Sequence, residues 1–205
     1  MSVSKVSASI SPRPRFSSAA GWSEPMFAPL PSSQRTERLL LRRPAEADLD
    51  FLTDLFSRRE LVAHRPNPVP DTREQSAARL ARDIGHWDKH GFGRWAVEAD
   101  GRLIGFGGVT VSADFDGLNL SYHLHPENWG QGYATELVTE ALRTAFGPLR
   151  AVRVIGLVRA ANPASRRVLE RCGFTFEKEV MLHEAPTMLF ASARPRRIGV
   201  SDPAA

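Results

Sequence analysis

The chain has 205 residues, enough for one domain with a substantial core, and its 42% hydrophobic and 24% charged residues are ordinary for a globular protein. A single cysteine, Cys172, excludes an internal disulfide and a cysteine metal cluster, and no apolar run approaches the roughly 20 residues of a membrane span. The net charge of +4 invites a nucleic-acid partner, but residues 1–36 carry +3 and residues 192–205 carry +2, which leaves the body at −1 with no basic stripe. Neither a specific nucleic acid nor a membrane is therefore expected as a partner.

Residues 1–34 are rich in Ser, Pro and Ala, lack helix or strand periodicity, and read as a disordered tail. No apolar stretch follows Lys5, so a secretory signal is not expected; the composition suits an organellar transit peptide, a plain tail or a misplaced start. A cytoplasmic location is the expectation. The folded domain is expected over 35–192, followed by a disordered basic tail over 193–205.

Arg38 to Arg42 reads as a first strand closed by Pro44, and Ala47 to Phe56 as a helix. His64 to Pro70 is a loop with three prolines. Asp71 and Glu74 have the spacing of a capping box for a helix that runs to about His90 and stops at Gly91. Strands follow over Trp95 to Glu98 and Leu103 to Val111, joined by the hairpin turn Asp100-Gly101. Gly105, Gly107 and Gly108 thin the second of these. Leu118 to Leu124 alternates, with Leu118, Leu120, Tyr122 and Leu124 on one face and Asn119, Ser121 and His123 on the other.

Glu136 to Phe146 has helical spacing and stops at Gly147-Pro148, and Val152 to Val158 reads as a buried strand. A strand–helix–strand unit of this length implies a parallel pair. A short helix begins near Pro163 and ends at Gly173, and Phe174 to Met181 and Thr187 to Ala191 read as the last strands. The fold class is α+β (mixed α/β), with a central mixed sheet.

Between the Leu118–Leu124 strand and its helix stand Trp129-Gly130-Gln131-Gly132-Tyr133-Ala134-Thr135. Such a turn presents free backbone N–H groups above a helix N-terminus, where the helix dipole places about half a positive charge. This is either a phosphate or pyrophosphate site or an ordinary tight connection. No Lys-Ser/Thr follows the glycines, and no third glycine or acidic ribose partner is evident, so neither a Walker motif nor a dinucleotide fingerprint is present.

The run Trp129 to Glu136 resembles the acyl-CoA pyrophosphate loop of the GNAT N-acetyltransferase superfamily, most of all its ribosomal-protein N-terminal (alanine) acetyltransferase-like branch. Thr36 to Arg42 is similar to the start of that branch, and Asn162 to Phe174 resembles the superfamily's second signature. The resemblance implies a mostly antiparallel twisted sheet with a parallel pair at the acyl-CoA cleft, flanked by about four helices. It implies acetyl-CoA as co-substrate, with no metal, held by Leu124, Gln131, Gly132, Tyr133, Ala134, Thr135 and Asn162.

Two catalytic positions of many relatives depart here. The general-acid Tyr is replaced by Leu169, and the base Glu of the central strand by Asn119. Ser165, on the helix face of Asn162, is the candidate acid; a serine bonded to its own helix is the alternative. His123 is the candidate base, with a packed histidine as the alternative. Asn162 is equally a helix cap. His86, His90, His125 and His183 show no metal-ligand spacing.

A site with no strong base suits an α-amine, whose pKa of about 7.7–8.0 leaves roughly 10% neutral at pH 7, better than a lysine amine near 10.4. The expected activity is therefore N-acetylation of a protein or peptide N-terminus. The alternatives are a drug- or polyamine-type small amine and a non-catalytic acyl-CoA sensor. The segments 57–72 and 181–187 should decide the acceptor, and the chain is expected to be monomer or dimer.

Overall fold

The computed structural model describes residues 30–194. In chain order the strands and helices are β1 (Ser33–Arg35), β2 (Leu39–Arg42), α1 (Leu49–Ser57), α2 (Arg59–Val62), α3 (Arg73–His90), β3 (Arg94–Ala99), β4 (Arg102–Val111), β5 (Leu118–Leu124), α4 (Tyr133–Phe146), β6 (Arg153–Val158), α5 (Pro163–Arg171), β7 (Thr175–Leu182) and β8 (Ala185–Ala193). The eight strands form one sheet in the order β1-β2-β3-β4-β5-β6-β8-β7. All neighbours are antiparallel except β5 and β6, which are parallel because α4 crosses between them.

The helices cover both faces. Leu137, Val138, Ala141 and Ala145 of α4 are fully buried against Leu120, Leu124 and Val154 of the sheet. On the opposite face Leu52, Leu55 and Phe56 of α1 and Leu80 of α3 enclose Phe106 and Ala96. Burial of each large apolar side chain stabilises the fold by about 1.5–3 kcal/mol. The glycines of β4 let these layers close. A Cβ at Gly107 would lie 2.6 Å from Tyr122 Cβ and 2.7 Å from a Leu137 methyl, and one at Gly105 would lie 2.3 Å from the His123 carbonyl.

Three expectations are corrected. The ordered chain starts before residue 35: Leu30 N–H donates to the Gly91 carbonyl at 3.0 Å, and Ser33 already pairs with Arg42. The expected tail over 1–29 and the residues 195–205 lie outside the described residues. The cap of α3 is Thr72 with Gln75, one residue beyond the expected pair, through Gln75 N–H to Thr72 Oγ1 (3.3 Å) and Thr72 N–H to Gln75 Oε1 (2.8 Å). Asp71 is drawn away from the cap by Arg65 (2.5 Å) and Arg79 (2.8 Å). Finally, Arg59–Val62 is helical where no helix was expected, which gives five α-helices among the described residues. Among the described residues no helix is long and apolar enough to cross a membrane.

Candidate active site

The parallel ladder between β5 and β6 ends early. It pairs Leu118 with Val154, Asn119 with Ile155 and Leu120 with Gly156, and there is no pair beyond these three. Past Gly156 the strands diverge, and two cavities meet at the gap. The first, of about 390 Å³, is lined by the α4 N-terminus, α5 and α2. The second, of about 690 Å³, reaches α3, the polar face of β5 and the β7–β8 turn. His64, Tyr122, His123, Asn162 and Ser165 line both.

The divergence leaves backbone groups of β5 free. His125 N–H donates to the Ile104 carbonyl of β4 at 2.8 Å. Alternation along a strand then turns the polar groups of Leu124 to the other edge, where β6 has gone. Trp129 Nε1–H takes the Leu124 carbonyl at 2.7 Å, which leaves the Leu124 N–H as a donor at the cleft.

The first cavity fits a diphosphate. Gly132 has φ +83° and caps α4 with no side chain, and the first helical bond runs from Glu136 N–H to the Gly132 carbonyl. The N–H groups of Tyr133, Ala134 and Thr135 precede that bond and remain for a ligand. A Cβ at Gly130 would meet nothing within 4 Å, so the loop backbone is open to close approach.

The loop is braced from the chain's beginning. Arg38 donates to the Gln131 carbonyl and to Glu136 at 2.8 Å each, and its guanidinium lies 4.7 Å from the Tyr133 ring centre. Thr36 Oγ1 also donates to Glu136. Burial alone would raise the Glu136 carboxyl, but the bonds from Thr36 and Arg38 hold it below its usual range.

Of the residues expected to hold the co-substrate, Leu124, Gly132, Tyr133, Ala134, Thr135 and Asn162 line the first cavity. Gln131 does not; its side-chain amide donates to the Glu127 carbonyl at 3.1 Å. Asn162 Oδ1 accepts the Ser165 N–H at 3.1 Å, so Asn162 caps α5 from within the cavity wall.

The catalytic candidates divide. Ser165 and His123 stand at the junction of the cavities, whereas Asn119 lines only the second cavity. It is four residues from His123 on the same strand, roughly 13 Å away. Burial, with Arg94, Arg79, Arg65 and His64 adding to it, holds the His123 imidazole well below its usual pKa. Its ring packs on Phe56 with centres 4.9 Å apart.

Two junction residues were missed in the sequence. Tyr122 is the only hydroxyl on the apolar face of β5, and that exception was the available signal. Its OH donates weakly to the Ser165 carbonyl (3.4 Å), and burial, tempered by Ser165, pushes its pKa up to about 12. His64 sits in a proline-rich segment without periodicity, and nothing local marked it. Burial, then Arg65 and Arg159, lower its pKa.

The acetyltransferase (GNAT) domain family matches residues 38–175. The uncharacterized N-acetyltransferase YoaA of Bacillus subtilis is 27% identical over 153 residues, which cover 73% of this chain and 85% of that protein. An acetyltransferase structure from Agrobacterium tumefaciens superposes with TM-score 0.69 at 25% identity, covering 82% of this chain and 98% of the other. The fold is also that of the ribosomal-protein-S5-alanine acetyltransferase of Vibrio fischeri (TM-score 0.65, 20% identity, 80% and 97% covered). With a matching domain over most of its length and a diphosphate-fitting loop at the splayed strands, the chain belongs to the GNAT family and is an acetyl-CoA-dependent N-acetyltransferase.

Proposed function

We propose that the acceptor is the α-amine of a protein or peptide N-terminus. The observation that carries this is the make-up of the five residues shared by the two cavities: two imidazoles, two hydroxyls and an amide. Both imidazoles, His64 and His123, have lowered pKa values and are weak bases. Among the described residues the one carboxylate in either lining is the exposed Glu60, in the first cavity. A site so armed does little to deprotonate a lysine amine near pKa 10.4, whereas an α-amine near 7.7–8.0 is roughly 10% neutral at pH 7.

The chain's own groups have distinct parts. The loop N–H groups over 133–135 bind the diphosphate of the co-substrate, which supplies the activated acetyl group. The Leu124 N–H is the donor for the thioester oxygen as negative charge gathers there. Tyr122 and Ser165 face the sulfur. A thiol ionises near pKa 8.5, far below the value of about 12 for Tyr122, so Tyr122 keeps its proton and acts as a hydrogen-bond donor.

The test is release of free thiol from acetyl-CoA against a panel of acceptors: peptides with a free N-terminus, N-blocked peptides with one lysine, spermidine and an aminoglycoside. The expected result is kcat/KM at least about tenfold higher for free N-termini, since the lysine amine is neutral at well under 0.1%. A preference for lysine or spermidine would overturn the reading, and binding of acetyl-CoA with no thiol release from any amine would make the chain a sensor.

A further inference from the structure

We infer that the acceptor carries an anionic group beside its amine, held by arginines in the second cavity. This rests on that cavity being the acceptor site. Four guanidinium groups line it, from Arg65, Arg79, Arg94 and Arg159, and among the described residues no carboxylate does. Arg65 and Arg79 share Asp71, and Arg94 pairs with the buried Asp83 at 2.6 Å. Arg159 donates to the backbone carbonyls of Leu182, Ala185 and Pro186. Four positive groups against two carboxylates leave a surplus of two positive charges.

The same cavity gathers unpaired polar atoms. Arg79 Nε, Asn119 Oδ1 and His123 Nδ1 are buried without a hydrogen-bond partner, and all three residues line it. Folded proteins leave few buried polar atoms unpaired, so three around one cavity are a local excess of unmet polar groups. The register gives the spacing. Arg94 stands opposite Gly108, and Gly108 opposite Ser121, two residues along β5 from His123. An amine at the His123 row therefore places its anion roughly 7 Å deeper, at the Arg94 row.

Guanidinium groups match carboxylate and phosphate oxygens in a planar, two-point geometry. An acidic side chain in the first two residues of a peptide meets this requirement, and so does a phosphate. A polyamine brings more positive charge into a positive cavity.

The experiment compares matched acceptors on the full chain: Gly-Glu against Gly-Gln peptides, Gly-phosphoserine against Gly-Ser, and spermidine. The acidic member of each pair is expected to have kcat/KM at least about tenfold higher at low salt, with the gap narrowing as salt is added. The size of the gap in each pair tells carboxylate from phosphate. Arg94→Gln and Arg65→Gln should each shrink the gap through KM, with circular dichroism confirming that they fold. Equal turnover within both pairs would overturn the inference and leave the α-amine reading standing; spermidine above all peptides would overturn both. Calorimetric binding of the same pairs decides the point where turnover is absent, because an acidic peptide that binds no tighter than its neutral partner overturns the inference.

Discussion

Asn162 Oδ1 is committed to the α5 cap through the Ser165 N–H, so its amide Nδ2 is the donor that we propose for the pantetheine arm. Substitutions separate the two roles. Asn162→Ala loses both, with a stability cost of about 1 kcal/mol from the cap and a raised KM for acetyl-CoA. Asn162→Ser keeps a capping oxygen and should keep the melting temperature while KM still rises. Ser165→Ala should do the opposite, lowering kcat by less than the roughly 100-fold that marks the low end of proton-transfer effects, with KM unchanged, because its hydroxyl, like that of Tyr122, keeps its proton and only donates a hydrogen bond. Steady-state kinetics beside thermal melts decide this; an unchanged KM in Asn162→Ser would confine Asn162 to the cap. Asn162 and Ser165 were picked out through the resemblance of Asn162 to Phe174 to the superfamily's second signature, and the helix start before Pro163 was only the local sign. Tyr122 carried one signal, as the only hydroxyl on the apolar face of β5, and His64, in a segment without periodicity, carried none.

The loop before α4 is the element on which we propose that acetyl-CoA binding depends, and its backbone geometry is specific to glycine. Gly132 has φ +83°, and a Cβ there would lie 3.3 Å from Arg38 Nη2. A left-handed backbone costs an L-residue roughly 1–2 kcal/mol, and a β-branched side chain would also press on the Arg38 brace. Gly132→Val should therefore remain folded with a melting temperature a few degrees lower, since about 1 kcal/mol moves a domain of this size by roughly 2–4 °C. Its acetyl-CoA Kd, measured by calorimetry, should rise at least about tenfold, because the N–H groups over 133–135 lose their shared aim. Unchanged affinity in the folded variant would place the diphosphate elsewhere. This element was the most legible in the chain, because its glycines, helix period and stop are all local. The α3 cap was misread by one residue because Asp71 answers to Arg65, six positions back, and to Arg79, eight positions ahead.

At the scale of the molecule the parallel β5–β6 pair was legible, because an intervening helix of that length imposes it. The seat of β8 between β6 and β7 was not, since it depends on pairings such as Ile155 with Ala191 that carry no local mark. The same long-range packing half-buries four histidines, and it shapes the response of the whole fold to acid. Burial leads the lowering of pKa at His64, His86, His90 and His123. His86 shows why. Its Nδ1 meets the Phe92 carbonyl at 2.7 Å, and its Nε2 accepts the Val111 N–H at 3.0 Å, so the ring fits only as the neutral tautomer. In the unfolded chain each imidazole takes up a proton near pH 6.5, before its folded counterpart does. The stability they contribute is thus fully present above about pH 6.5 and is lost as pH falls through the lowered folded values. The lowered carboxyls of Asp71 and Glu136 act later, because their unfolded counterparts protonate near pH 4. Melting temperature should be flat from pH 8 to 7 and should fall steadily from about pH 6.5 to 5. The slope should be shallower in His123→Leu, which buries no titrating group there. A melting temperature constant down to pH 5, or the same slope in His123→Leu, would show that these half-buried imidazoles do not govern acid stability.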